Sequence, residues 1–336
     1  MTTDAADPQE RSADQILHQQ PRHLGALLAK GAARARAGDD RAATSFFQLA
    51  LAQAQAAGQV PTPLIPDLQK AEAFLRAAST RYEEHLREQL TTGGADPARL
   101  GGRFAEAIDI LTGRAQPQLQ QPSAFYYPGL PQRAFYDAGD FPWAAAVEAE
   151  TDAIAVELEA ALTDGGHGFA PYIEAQAGRP RSTNPLFGDP KWSALYLWRG
   201  GEPVRDHAVR FPGAMRALDH APMPVIPGRS PMALFSSLRP GTHIVPHHGH
   251  INTRLICHLP LIVPPSCRFR VGNGTGEWER GKLLIFDDTI EHEAWNDADA
   301  VRIVLLFEVW RPELSTEERA ALTVLYRSVG LYGADI

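Results

Sequence analysis

The chain has few cysteines, no excess of basic charge and no long apolar run, and each shortage removes a class of function. Cys257 and Cys267 are its only cysteines. Two thiols cannot make a disulfide framework, so a reducing cytoplasm is the expected compartment. Lys and Arg total 32 against 40 Asp and Glu, a formal net charge of −8, which argues against a general nucleic-acid surface. An acidic protein can still bind an anion, because one or two placed arginines are enough. No segment reaches the roughly 20 uninterrupted apolar residues of a membrane helix. The acidic, polar start MTTDAADPQERSADQ is the reverse of a secretory signal.

The 336 residues suffice for two or three domains. Ile16 to Ala57 is rich in Ala, Leu, Gln and Arg, good helix formers. Within it Gly31, Gly38-Asp39, Ala43, Phe47 and Ala50 resemble one tetratricopeptide repeat (TPR), with small residues where two antiparallel helices approach and a turn at Gly38-Asp39. Pro21 stands where a preceding unit would end, and a further helical run spans Asp67 to Leu90. Residues 1–113 therefore read as an all-α, TPR-like module, of the kind that docks a protein partner. The Pro- and Gln-rich stretch 114–123 reads as a linker, and 124–336 as a second domain.

That second domain opens with aromatics from Phe125 and a helix expected over Ala144 to Leu162. Trp192 to Trp198 reads as a strand. From Met232 onward, short strand-like runs (MALFSSL, THIV, TRLICHLPLIV, CRFRVG, GEWER, KLLIFD, EHEAW, VRIVLLFEVW) alternate with Pro, Gly, Asn or Asp. This density predicts a sandwich or barrel within an α+β chain. A closing helix is expected from Ser315 to Val329, with Gly330 just past its end.

Two features of the β region carry chemistry. Pro246-His247-His248-Gly249-His250 ends one β run, and Glu291-His292-Glu293 follows another. Imidazole suits Fe, Zn, Cu and Ni alike, so His247 and His292 predict a metal site of unspecified metal. A non-heme iron centre commonly adds a carboxylate two residues after its first histidine. Here that residue is Gly249, so either a water or one of Asp287, Asp288, Glu291 and Glu293 must fill the place. Strand alternation puts Glu291 and Glu293 opposite His292 and favours a water. The second feature is Arg302, which opens an apolar strand and is costly to bury without a partner. Its partner is either a protein carboxylate or a dicarboxylate cosubstrate, which the guanidinium fork matches. Ser236 could add a hydroxyl, and Arg254, Ile256 and His258 share one strand face.

The segments PGTHIVPHHGHINTRLICHLPL and GEWERGKLLIFDDTIEHEAWNDADAVRIVLLFEVWRPEL resemble the aspartyl/asparaginyl β-hydroxylase family. The likeness runs roughly from Phe125 to Leu314 and is strongest after Ser236. It implies a double-stranded β-helix (jelly roll, cupin-like) with flanking helices, and an Fe(II) dioxygenase using 2-oxoglutarate and O₂ as cosubstrates. It further implies His247 and His292 as the protein ligands, Ser236, His258 and Arg302 as cosubstrate contacts, and Arg254 as an arginine near substrate or cosubstrate. Ile256 stands where animal peptide-hydroxylating members carry a basic residue, and His248 and His250 where Thr and Pro are more common. The implied substrate is an Asp/Asn-type residue in a peptide, a related amino acid, or a lipid acyl chain. Competing classes are a catalytically silent TPR-plus-cupin scaffold and a zinc cupin-like isomerase or hydrolase.

Overall fold

The computed structural model describes residues 7–165, 168–175 and 180–332. The chain divides into two compact units, Met1–Pro117 and Gln118–Ile336.

The first unit is helical. Its main helices are Pro8–Gln19, Leu24–Arg36, Asp40–Ala57, Ile65–Thr92 and Gly102–Leu111. Asp7 and Asp39 cap the first and third by accepting hydrogen bonds from the N–H groups of Gln9 and Ala42. Leu24–Arg36 and Asp40–Ala57 form a hairpin around Leu27, Leu28, Ala43, Phe47 and Ala50. Gly31 is what lets them close: a Cβ there would lie 2.6 Å from the Phe47 ring. Among the described residues no helix is long and apolar enough to cross a membrane.

The second unit is built on strands β1 (Phe135–Tyr136), β2 (Ala170–Pro171), β3 (Trp192–Arg199), β4 (Glu202–Pro203), β5 (Ala233–Leu238), β6 (Thr242–His247), β7 (Arg254–Ile262), β8 (Cys267–Val271), β9 (Gly274–Gly276), β10 (Leu284–Phe286), β11 (His292–Asn296) and β12 (Arg302–Trp310). The larger sheet runs β1-β10-β7-β12-β5-β3-β2, with β4 on β3, and the smaller runs β6-β11-β8-β9. From β5 to β12 the chain passes back and forth between the sheets. This interleaving is the double-stranded β-helix that the family likeness implied.

Each strand's alternation assigns its two faces. On β7, Leu255, Cys257, Leu259 and Leu261 pack outward under helices Ala144–Ala149, Thr151–Thr163 and Pro212–His220. On β12, Ile303, Leu305, Phe307 and Val309 do the same. The intervening residues, Ile256 and Val304 among them, face the space between the sheets, with Trp192, Phe269, Trp278 and Phe286. Burial on both faces is why these strands read as unbroken apolar runs.

Four expectations shift. The helix over Ala144 to Leu162 breaks at Glu150 into Ala144–Ala149 and Thr151–Thr163. The closing helix does not stop at Gly330 but runs Thr316–Leu331, opened by a reciprocal Ser315–Glu318 cap. The strand expected at Gly276–Arg280 ends at Gly276, which leaves Trp278 on irregular backbone. Residues from Gln118 onward belong to the second unit: buried Gln120 donates to Asp287 Oδ2 at 2.6 Å, and Gln121 N–H donates to the Thr289 carbonyl at 2.7 Å.

Candidate metal and anion site

His247 ends β6 and His292 begins β11, and the two are directly paired across the smaller sheet. Their ring centroids are 4.0 Å apart. Each ring is held alike. His247 Nδ1 donates to the Val245 carbonyl at 2.8 Å and His292 Nδ1 to the Ile290 carbonyl at 3.1 Å. These bonds put the ring proton on Nδ1 and leave each Nε2 lone pair to coordinate. Burial, reinforced by the neighbouring imidazole, pushes His292 down to about 3, and burial also lowers His247. Both rings are therefore neutral at neutral pH, as metal ligation needs.

No third protein ligand joins them: among the described residues there is no group of three His, Cys, Asp or Glu able to hold a metal. Glu291 and Glu293 are drawn away by Arg270, and Glu293 also accepts from His243 Nε2 at 2.9 Å. Asp287 is fully buried against Arg311, 2.8 Å away. Asp288 stands nearest in kind. A Cβ on Gly249 would meet Asp288 Oδ2 at 2.2 Å, so the space of the missing side chain is filled by this carboxylate. Burial raises Asp288 to about 6 against the pull of Arg254, and its Oδ1 has no hydrogen-bond partner. The donor set among the described residues is two histidines, which fits a metal centre with positions left open by the protein.

Both histidines line a cavity of about 370 Å³ that also contains Ser236, His258, Asp288 and Arg302. Arg302 is 2% exposed and makes no ion pair among the described residues. Its protein contacts are a long hydrogen bond to the Ser236 carbonyl, 3.5 Å, and the Trp278 ring, whose centroid lies 4.7 Å from the guanidinium carbon. Burial lowers its pKa to about 10, so it remains a cation at neutral pH. Trp278 Nε1 donates to His258 Nδ1 at 3.2 Å, which fixes the proton of neutral His258 on Nε2 as a second donor. Burial and the Arg302 charge hold His258 well below its ordinary value. Trp192 Nε1 donates to Ser236 Oγ at 3.3 Å, leaving the serine proton free to donate. The result is a pocket of donors around one uncompensated cation, the complement of a carboxylate.

The other residues singled out in the sequence also line this cavity, most with partners of their own. Arg254 is on the same interior face as His258 but is ion-paired with Glu308 and lies 3.4 Å from Asp288. Ile256 packs in the interior apolar cluster. His248 and His250 both line the cavity: His248 Nε2 is buried and unbonded, and His250 Nδ1 bonds Ser123 Oγ at 2.7 Å. Sequence reasoning missed Trp278, which orients both Arg302 and His258. It also missed Trp192, which holds Ser236 and is stacked on Tyr172 at 4.1 Å. The one available signal was an indole inside the otherwise charged run Glu277-Trp278-Glu279-Arg280.

Residues 148–312 match the family described as Aspartyl/Asparaginyl beta-hydroxylase. The human aspartyl/asparaginyl beta-hydroxylase is 38% identical over 135 residues, covering 40% of this chain and 18% of the human protein. The ornithine lipid ester-linked acyl 2-hydroxylase of Rhizobium tropici is 35% identical over 191 residues, covering 55% of this chain and 63% of that enzyme. The chain thus spans less than two thirds of either relative. Among solved structures, the Schizosaccharomyces pombe Cnp3 cupin domain aligns at a TM-score of 0.25 and 7% identity, over 44% of this chain and 74% of that one.

Proposed function

Because the chain belongs, through residues 148–312, to the aspartyl/asparaginyl β-hydroxylase family, we propose that it is an Fe(II)- and 2-oxoglutarate-dependent dioxygenase that hydroxylates an unactivated carbon. The observation that carries this reading is Arg302: a buried cation with no carboxylate partner among the described residues, in the same cavity as two metal-ready imidazoles. A zinc isomerase or hydrolase has no use for such a clamp.

His247 and His292 would hold the metal through Nε2, their Nδ1–H bonds keeping both rings in that orientation. Iron, when bound, supplies the site at which O₂ is reduced as 2-oxoglutarate loses CO₂. Arg302 would grip the distal carboxylate, with Ser236 Oγ–H and His258 Nε2–H donating beside it. Trp278 and Trp192 keep those donors aimed. The unbonded Oδ1 of Asp288 would accept a hydrogen bond from water beside the two imidazoles, where Gly249 supplies no ligating carboxylate. Arg254, held by Glu308 and Asp288, would stand beside the substrate. The walls formed by Phe269, Phe286 and Leu306 keep the cavity dry.

The human relative's name points to the β-carbon of an Asp/Asn-type residue or related amino acid. A lipid acyl chain is the second reading, favoured by the longer match to the Rhizobium enzyme and by apolar Ile256 at a position expected to be basic. The helical unit we read as a TPR-like module that docks a protein partner, on the strength of the Gly31–Phe47 hairpin contact. Anaerobic addition of Fe(II) and 2-oxoglutarate should give a weak visible charge-transfer band, and O₂ should then release succinate. No band in the wild type, or a band that survives His292→Ala, would defeat the proposal.

A further inference from the structure

A second chamber of about 280 Å³ adjoins the metal and anion cavity, and Tyr172, Met232, His250 and Arg254 line both. It extends toward the satellite apolar cluster of Ile226, Leu322 and Tyr326, against which Ile251 and Trp310 pack. Most of its polar wall groups are already engaged. Ser230 Oγ donates to Glu308 Oε1 at 2.7 Å, and the Met232 N–H donates to the same oxygen at 2.6 Å. Thr253 Oγ1 and Tyr326 Oη share a 2.7 Å hydrogen bond. Arg254 is paired with Glu308 and Asp288, and Arg229 and His250 have partners of their own. What is left to offer a ligand is mainly apolar surface from Pro224, Ile226, Met232, Ile251 and Trp310, with Tyr172 and Arg254 at the junction with the first cavity.

A peptide main chain running beyond Tyr172 and Arg254 into the apolar end would bring more N–H and C=O groups than the wall can bond, at a cost for each left over. An aliphatic chain brings none. We propose that the second chamber is a tail subsite holding an aliphatic acyl chain of the substrate, while the carbon to be oxidised lies by His247 and His292. The position of that carbon rests on the hydroxylase reading, whereas occupancy of the chamber does not.

The test is calorimetric titration of the full-length, metal-free protein with hexanoate, octanoate, decanoate and dodecanoate, and with an aspartyl pentapeptide. Affinity should climb about fourfold per added methylene, as for burial of one CH₂, until the chamber is full. Ile251→Trp, which plugs the chamber, should flatten that climb. Trp310→Ala, which enlarges it, should move the plateau to longer chains and serves if the plugged variant fails to fold. A decanoyl lysophospholipid run beside decanoate tells an esterified from a free chain, and a length-dependent response from either supports the subsite. Affinity independent of chain length, a climb unaltered in both variants, or tighter binding of the peptide than of any chain would overturn it. Because binding is read without metal, the outcome is separable from the charge-transfer experiment: a missing band with an intact climb sinks only the hydroxylase reading, and a band without the climb sinks only the subsite.

Discussion

Trp278 serves Arg302 and His258 together: its ring lies 4.7 Å from the guanidinium carbon and its Nε1–H bonds His258 Nδ1 at 3.2 Å. Trp278→Phe keeps an aromatic face for the cation but removes the donor that fixes the His258 tautomer. The expected result is a 2-oxoglutarate KM raised about tenfold, roughly one net hydrogen bond, with succinate output at saturation little changed. An unchanged KM would show that His258 needs no such orientation.

Arg302→Met should have opposite effects on binding and on folding. Losing the clamp should weaken 2-oxoglutarate binding by roughly 2 kcal/mol or more, at least about thirtyfold. Removing a buried cation that has no protein carboxylate should stabilise the ligand-free fold by about 1 kcal/mol or more. Thermal unfolding with and without 2-oxoglutarate reads both: only the wild type should gain a higher Tm from the ligand.

Gly249→Asp should not build a three-ligand centre. Its Cβ would fall 2.2 Å from Asp288 Oδ2, so the new side chain must displace a buried carboxylate that also faces Arg254. Destabilisation of about 1–3 kcal/mol is expected, without a gain in Fe(II) affinity. Gly249→Asp/Asp288→Ala should recover part of the loss, a coupling that a double-mutant cycle measures.

His292 and Asp288 give the metal-free protein opposing pH dependences, and His247 and His258, both held low by burial, act in the same direction as His292. His292 titrates near 3 when folded, below an unfolded imidazole at about 6.5. Its contribution is present above pH 6.5 and is lost as pH falls toward 3, with a limiting slope of about 1.4 kcal/mol per pH unit. Asp288 titrates near 6 when folded, above an unfolded carboxyl at about 3.9. Its contribution is full below pH 3.9 and is lost as pH rises through 6. Between pH 4 and 6 the Asp288 slope offsets that of His292, so Asp288→Asn should expose a steeper loss of stability on acidification. Denaturant midpoints measured at pH 4, 5 and 6 check this, and parallel curves for the two proteins would refute it.

Strand alternation was legible from sequence because a two-residue period is a local property: Arg254, Ile256 and His258 share the interior face as their spacing required. The site histidines were legible because unusual residues cluster at strand ends. Trp278 was not, since it reaches Arg302 and His258 from irregular backbone that no periodicity describes. The length of the Ala144 helix was misjudged for a related reason, because the break at Glu150 lies inside a stretch whose composition stays helical throughout.

The amino-acid sequence by itself determined which residue types could do chemistry, where the longer strands lie, and that position 249 contributes no side chain. Only tertiary structure decided that Asp288 fills the gap beside Gly249, that Arg254 is taken by Glu308 and that Arg302 meets no carboxylate among the described residues. Local patterns fix which face a side chain occupies. Pairing between buried charges depends on which strands the β-helix sets side by side, and that order is a property of the whole fold.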